Sequence, residues 1–125
     1  MKINGKEIGF CMTLGAAIEI AKLCPNNDLT KYDALISSDN FEENARNVQA
    51  LARILNEGYI MNERIYGREA ERFDAGELEG LPIHVYLEIQ TEINAAILRD
   101  FTGEIATRET KEAKKLKKDG TADGD

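Results

Sequence analysis

The sequence predicts a mainly α-helical fold: a small domain of about four helices with a β-hairpin at its N-terminus. Apolar side chains recur every three or four residues along two long stretches, which is the period of an amphipathic helix. An Asn-Gly pair lies among alternating apolar residues near the start, and this is the strongest short-range signal for a hairpin. The 125 residues suit one domain. We expect it to span residues 1–107, followed by a charged tail at 108–125.

The hairpin is predicted around Asn4-Gly5, because both residue types accept the positive φ angles of a two-residue turn. Ile3 precedes the turn, and the apolar residues after it alternate with other residues: Ile8, Phe10 and Met12. A lone hairpin is only marginally stable in water. We therefore expect this one to pack on the helices.

The first helix is predicted to begin after Thr13, a residue type that caps helix N-termini, and to end at Pro25. Its first turn carries the small residues Gly15, Ala16 and Ala17. Small side chains let another backbone approach closely, so this turn is a predicted contact site. The apolar face is predicted from spacing to contain Leu14, Ala17, Ile18 and Ala21.

A short helix is predicted at Thr30–Ile36, and the longest helix begins at Phe41, after the sequence SSDN. Glu42 and Glu43 lie in the first turn of the long helix, where the helix dipole favours acidic side chains. Its apolar stripe consists of Phe41, Ala45, Val48, Leu51, Ala52, Leu55 and Tyr59.

The last helix is predicted at Pro82–Phe101, after a polar connector that covers Asn62–Gly80. Proline is tolerated in the first turn of a helix. The stripe of this helix consists of Tyr86, Ile89, Ile93, Ala96, Ile97 and Phe101. Beyond Thr107 the chain has too few apolar residues to fold, and we expect it to be disordered.

Composition excludes several classes of function. The net charge is −7, and residues 1–107 contain 10 basic and 18 acidic groups, which argues against nucleic acid as a partner. No apolar run approaches the roughly 20 residues that cross a bilayer, so no membrane association is expected. The N-terminus lacks the apolar core of a signal peptide, which predicts a cytoplasmic protein. Cys11 and Cys24 are expected to be small buried side chains rather than a disulfide.

The chemical motifs are weak. His84, Glu88 and Glu92 share one helical face and could in principle contact a metal, but no second cluster completes the shell. A cysteine with His84 is the one available Cys–His pairing, and no nucleophile motif or phosphate-binding loop surrounds it. We therefore expect no enzyme, no catalytic or metal-binding residue and no cofactor. The stripe of Arg64, Arg68 and Arg72 is interleaved with glutamates, which favours exposed ion pairs over nucleic-acid binding.

The N-terminal string MKINGKEIGFCMTLGAAIEIAKL resembles the start of tail assembly chaperones from long-tailed bacteriophages and prophages. Those small helical proteins open with a segment of the form xxNGKexxxxFTxGAxxEIxxL. In that pattern an aromatic residue directly precedes the Thr. This sequence has Met12 at that position, and its nearest aromatic residue is Phe10. The order of later elements is similar too. The matching positions are Asn4, Gly5, Lys6, Glu7, Thr13, Gly15, Ala16, Glu19, Ile20 and Leu23.

The resemblance implies that this protein binds the tape measure protein of a phage tail in the bacterial host cytoplasm. Such chaperones keep that long apolar helical chain soluble until tube subunits displace them. The resemblance also suggests self-association into a homo-oligomer. The candidate groove walls are taken from the two stripes, as partner-binding residues: Phe41, Val48, Leu51, Leu55, Tyr59, Tyr86, Ile89, Ile93, Ile97 and Phe101.

An alternative of another class is a small helical adaptor or regulatory protein that binds a folded partner or DNA. It would have the same helical architecture without a long apolar client. A distinctly basic helix face would favour it, and the sequence offers the mixed stripe from Arg64 to Arg72.

Overall fold

A computed structural model describes residues 1–101 and confirms the predicted class, a mainly helical domain with an N-terminal two-stranded antiparallel hairpin. The charged tail at 108–125 and the domain boundary after residue 107 lie outside the described residues. Short 3-10 helices cover Pro25–Asn27, Leu29–Leu35 and Ala75–Gly80. The main elements are β1 (Lys2–Ile3), β2 (Lys6–Glu7), α1 (Leu14–Leu23), α2 (Phe41–Ile65) and α3 (Ile83–Phe101).

The hairpin turns at the predicted Asn-Gly pair. Asn4 and Gly5 have φ angles of 53° and 79°, as a turn with two left-handed residues requires. In the antiparallel register, Ile3 pairs with Lys6. The apolar residues around the turn all enter the core, as the alternation predicted: Ile3, Ile8, Phe10 and Met12.

The chain after the hairpin is an extended segment, residues 8–12, that joins α2 to the end of α3. The Cys11 amide donates to the carbonyl of Leu55 on α2 over 3.0 Å. On the α3 side, the Met12 amide donates to Asp100 over 3.1 Å, and Arg99 donates to the Phe10 carbonyl over 2.9 Å. These bonds satisfy backbone groups that no regular sheet covers.

Helix α1 begins as predicted, since the Thr13 hydroxyl accepts from the Ala16 amide over 3.2 Å. The predicted apolar face is correct in part: Ala17 packs against the core, but Leu14 and Ile18 do not. Ala16 and Ile20 are the buried residues of α1, whereas Leu14 and Ile18 are 80% and 50% exposed. The cause is a close approach by α2: a Cβ built on Gly58 would lie 3.4 Å from the Ala16 Cβ. The small side chain of Ala16 permits this approach.

The small first turn of α1 is therefore a contact site at Ala16 and, in part, at Ala17. Ala16 is buried, but Gly15 is exposed, and the Thr13 hydroxyl is the one atom within 4 Å of a Cβ built there. Gly58, on the facing helix, is the glycine that lets the two helices meet. The prediction that Gly15 belongs to this contact site is wrong.

Helix α2 begins where predicted, with the Asn40 side chain accepting from the Glu43 amide over 2.9 Å. It continues through Gly58 to Ile65, because Gly58 packs against residues 11–16 and is held in the core. The short helix predicted at Thr30–Ile36 is present as the 3-10 helix Leu29–Leu35.

The connector runs back along α2. Near its middle, the Phe73 amide donates to the buried Asn56 side chain over 2.8 Å. Closer to the start of α2, Gln49 donates to the carbonyl of Ala75 over 3.3 Å. As a result α3 begins beside the first turns of α2, and Phe41 contacts Tyr86. The two long helices therefore run in the same direction from a shared end, where the candidate site lies.

Candidate functional site

An apolar groove lies at the shared end of the two long helices. Its cavity has a volume of about 350 Å³ and opens to solvent. Three elements form it: the first turns of α2, the 3-10 helix Ala75–Gly80 and the start of α3. We call this site the groove, and its lining residues are Phe41, Glu42, Ala45, Arg46, Gln49, Leu78, Glu79, Leu81, Ile83 and Tyr86.

The floor and walls of the groove differ in exposure. Leu78 and Tyr86 are 5% and 8% exposed and form a fixed floor. Phe41 and Ile83 are 61% and 63% exposed, so most of each apolar side chain faces water. The Phe41 and Tyr86 rings meet edge to face with centroids 6.0 Å apart, which fixes the orientation of the exposed ring. The groove therefore offers apolar surface that a partner could bury.

The rim of the groove is charged. Arg46 contacts Glu79 over 2.6 Å, and Gln49 donates to the same carboxylate over 3.1 Å. Hydrogen bonds from Gln49 and Arg46 lower the pKa of Glu79, which keeps it ionised at neutral pH. Glu42, in the first turn of α2, also lines the groove and is exposed. An apolar floor with carboxylates at its edge suits a partner with apolar anchors and flanking basic side chains.

A second cleft of about 410 Å³ lies at the other end of α3, between the segment 8–12 and the two long helices. It is mostly polar, and Asn62, Glu92 and Arg99 are among its lining residues. Burial and the nearby Asp100 carboxylate raise the pKa of the Cys11 thiol. A thiol with a raised pKa is a poor nucleophile at neutral pH, so this cleft lacks an activated cysteine.

The Cys–His pairing considered from the sequence does not form with Cys11. Cys11 lies beside Asp100, near the C-terminal end of α3. His84 is also on α3, sixteen residues before Asp100. At 1.5 Å per helical residue, the two ends are about 24 Å apart. Within residues 1–101, no group of three or more His, Cys, Asp or Glu side chains is arranged to hold a metal ion. His84, Glu88 and Glu92 are all exposed on α3.

The arginine stripe forms ion pairs. Arg68 binds Glu63 through two hydrogen bonds of 2.6 and 3.0 Å, as the interleaved charges predicted. Arg72 binds Glu57 in the same two-pronged manner at 2.5 and 3.0 Å, a partner fifteen residues away that the local sequence did not indicate. Two of the three arginines are therefore paired with glutamates, so the stripe is of mixed charge.

The structure divides the ten predicted partner-binding residues between the core and the surface. Phe41 lies at the groove and is largely exposed, Phe101 is 38% exposed against Tyr32 at the far end of α3, and Tyr59 is half-buried. The other seven are buried between the elements of the domain. Among these seven, only Tyr86 also lines the groove. These core residues are Val48, Leu51, Leu55, Tyr86, Ile89, Ile93 and Ile97.

Sequence reasoning missed three apolar residues of the groove: Leu78, Leu81 and Ile83. Leu78 and Leu81 belong to the connector, which reads as polar, and only the return of the chain along α2 brings them to Phe41. Ile83 lies one turn before the start of the α3 stripe. The sequence signal for Ile83 was its position as an isolated apolar residue at the start of a predicted helix.

The part of the chain that the structure describes contains no helix long and apolar enough to cross a membrane. Comparison with protein-family models, with curated proteins and with solved structures found no match to this chain.

Proposed function

We propose that this protein is a tail assembly chaperone that binds the tape measure protein of a phage tail and keeps it soluble during assembly. The observation that carries the proposal is the exposed apolar groove rimmed by carboxylates at the shared end of α2 and α3. The N-terminal sequence resemblance supplies the class of client. The proposed contact surface is the groove rather than the full length of the two stripes.

The groove suits a helix as its ligand. Amphipathic helices dock by placing apolar anchors, one turn apart, into a groove on the partner. A volume of about 350 Å³ is at the small end of the range for ligand sites, roughly 300–1,000 Å³, so it would take a few side chains of a client helix. Phe41 and Ile83 would be covered by the client.

A small contact also suits a transient chaperone. Burying one aliphatic or aromatic side chain contributes roughly 1.5–3 kcal/mol before the entropy of association is subtracted. One groove would therefore bind a client helix weakly, and many copies along a long client would be needed to keep it soluble. Weak individual contacts let tube subunits displace each copy in turn.

The test is co-expression with the longest helical protein encoded nearby, measuring the soluble fraction of that client and any co-purified complex. The informative variant is Ile83→Glu, which places a charge in the groove. Leu14→Glu is its matched control: both residues are exposed apolar positions that open an α-helix, and Leu14 lies outside the groove. Glutamate suits the first turn of either helix, so both variants should fold.

We expect the client to be soluble with the unmodified protein and with Leu14→Glu, and to precipitate with Ile83→Glu. If Ile83→Glu solubilises the client equally well, the groove is not the binding surface. If the client stays insoluble with every chain, the chaperone proposal is wrong, and the adaptor interpretation takes its place.

A further inference from the structure

The C-terminal tail carries a short segment that complements the groove. Residues 114–118 read KKLKK, one leucine between two pairs of lysines. The described body has the opposite charge, with 10 basic and 17 acidic groups in residues 1–101. Opposite net charges raise the local concentration of the tail at the body and favour contact with its acidic patches.

Among the two cavities described, the groove is the one whose chemistry fits this segment. It combines an exposed apolar lining with two carboxylates, Glu42 on α2 and Glu79 on the 3-10 helix Ala75–Gly80, of which Glu79 is paired with Arg46. Glu43 and Glu77 are further exposed carboxylates on the same two elements. The second cleft has carboxylates as well, but it is mostly polar and offers little apolar surface for a leucine. A single leucine flanked by lysines needs an apolar cavity with an acidic rim.

The tail is long enough to reach the groove. Helix α3 ends at Phe101, and its 19 residues place the groove about 28 Å away, at 1.5 Å per residue. The fifteen residues from 102 to 116 can span about 50 Å when extended. The tail of the same molecule can therefore return along α3 without strain.

We propose that the segment 114–118 occupies the groove of its own chain, with Leu116 against Phe41 and Ile83 and its lysines facing Glu42 and Glu79. The tail then covers the apolar groove when no client is present and competes with a client helix for it. Only the competition rests on the proposed function, since tail docking requires no client. Because the charge pairs are exposed, salt screens them and releases the tail.

The test compares amide NMR spectra of three full-length chains at low salt: the unmodified protein, Leu116→Ser and Thr121→Ser. Thr121→Ser is the matched control, a small change in the tail outside the segment. We expect Leu116→Ser to shift the amide signals of Phe41, Ala45 and Ile83. The same signals should move in the unmodified chain when salt is raised, while Thr121→Ser leaves them in place.

Three results would overturn the inference: groove signals that coincide in all three chains, equal shifts in Thr121→Ser, or a Leu116→Ser effect that disappears on dilution. The last would mean that the occupant comes from a second molecule.

Client binding provides an independent readout. If the tail competes, Leu116→Ser should lower the apparent Kd for the client by about two- to tenfold. If the client fails to bind while the groove signals still shift, the chaperone proposal fails and tail docking stands.

Discussion

Gly58 lies in the interior of α2, where alanine normally stabilises a helix, yet we predict that Gly58→Ala destabilises this protein. A Cβ on Gly58 would lie closer than 3.0 Å to the carbonyl oxygen of Cys11, and 3.1 Å from the Thr13 hydroxyl. The obstacle is backbone, which cannot rotate aside. The extended segment must move away from α2, and the hydrogen bond from the Cys11 amide to Leu55 must lengthen or break.

The magnitude follows from three contributions. Overpacking a tight interface costs typically 1–3 kcal/mol, and the loss of one hydrogen bond costs about 1 kcal/mol. The higher helix propensity of alanine offsets about 1 kcal/mol of this loss. We expect a net loss of about 2 kcal/mol in the free energy of unfolding. For a domain of about 100 residues, that corresponds to a fall in Tm of about 10 °C.

Urea unfolding followed by circular dichroism at 222 nm measures the effect, and Gly15→Ala is the control. Gly15 also lies in an α-helix, but the nearest atom to its Cβ would be the Thr13 hydroxyl at 3.9 Å. There we expect the ordinary gain of about 0.5 kcal/mol. A Gly58→Ala protein as stable as the parent would refute the close approach of α1, α2 and the segment 8–12.

Two further predictions concern buried polar contacts. Asn56 is fully buried, donates to the Gly9 carbonyl and accepts from the Phe73 amide. Asn56→Leu should lose about 1–3 kcal/mol in urea unfolding, because the Phe73 amide stays buried and unpaired. Burial tends to raise the pKa of Asp100, but bonds from Arg99 and the Met12 amide lower it overall. Its stabilisation is therefore present above the unfolded pKa of about 3.9 and is lost as pH falls through the folded value. Asp100→Asn should unfold with a shallower pH dependence below pH 4, and an unchanged acid limb would contradict this.

The fold was predictable wherever a local signal determines it. The Asn4-Gly5 turn, the cap at Thr13 and the start of α2 after Asn40 each depend on residues within a few positions, and all three were confirmed. The buried face of α1 was not predictable from the same spacing. Which face of a small helix packs depends on its partner, and here the partner approaches at Gly58, more than forty residues away.

The candidate site was less accessible to sequence analysis, because its parts come from three separate elements. Phe41 was identified from the α2 stripe, but Leu78 and Leu81 lie in a connector that reads as polar. They become part of the site when Asn56 and Gln49 hold the returning chain along α2. Those two anchors are polar residues within a helix, and nothing in their spacing distinguishes them from solvent-facing positions.

The position of the groove also explains why most of the predicted partner-binding residues lie in the core. In the middle of α2 and α3, each apolar side chain meets other elements of the domain, as Leu51 and Ile93 do. At the shared start of the helices, fewer elements of the domain cover the apolar side chains. Phe41 and Ile83 are therefore largely exposed there. Replacing a core residue with alanine typically costs about 2–5 kcal/mol of stability, so a loss of binding in such a variant would not identify a contact. Exposed apolar positions of the groove such as Phe41 and Ile83 can instead be replaced with little effect on the core.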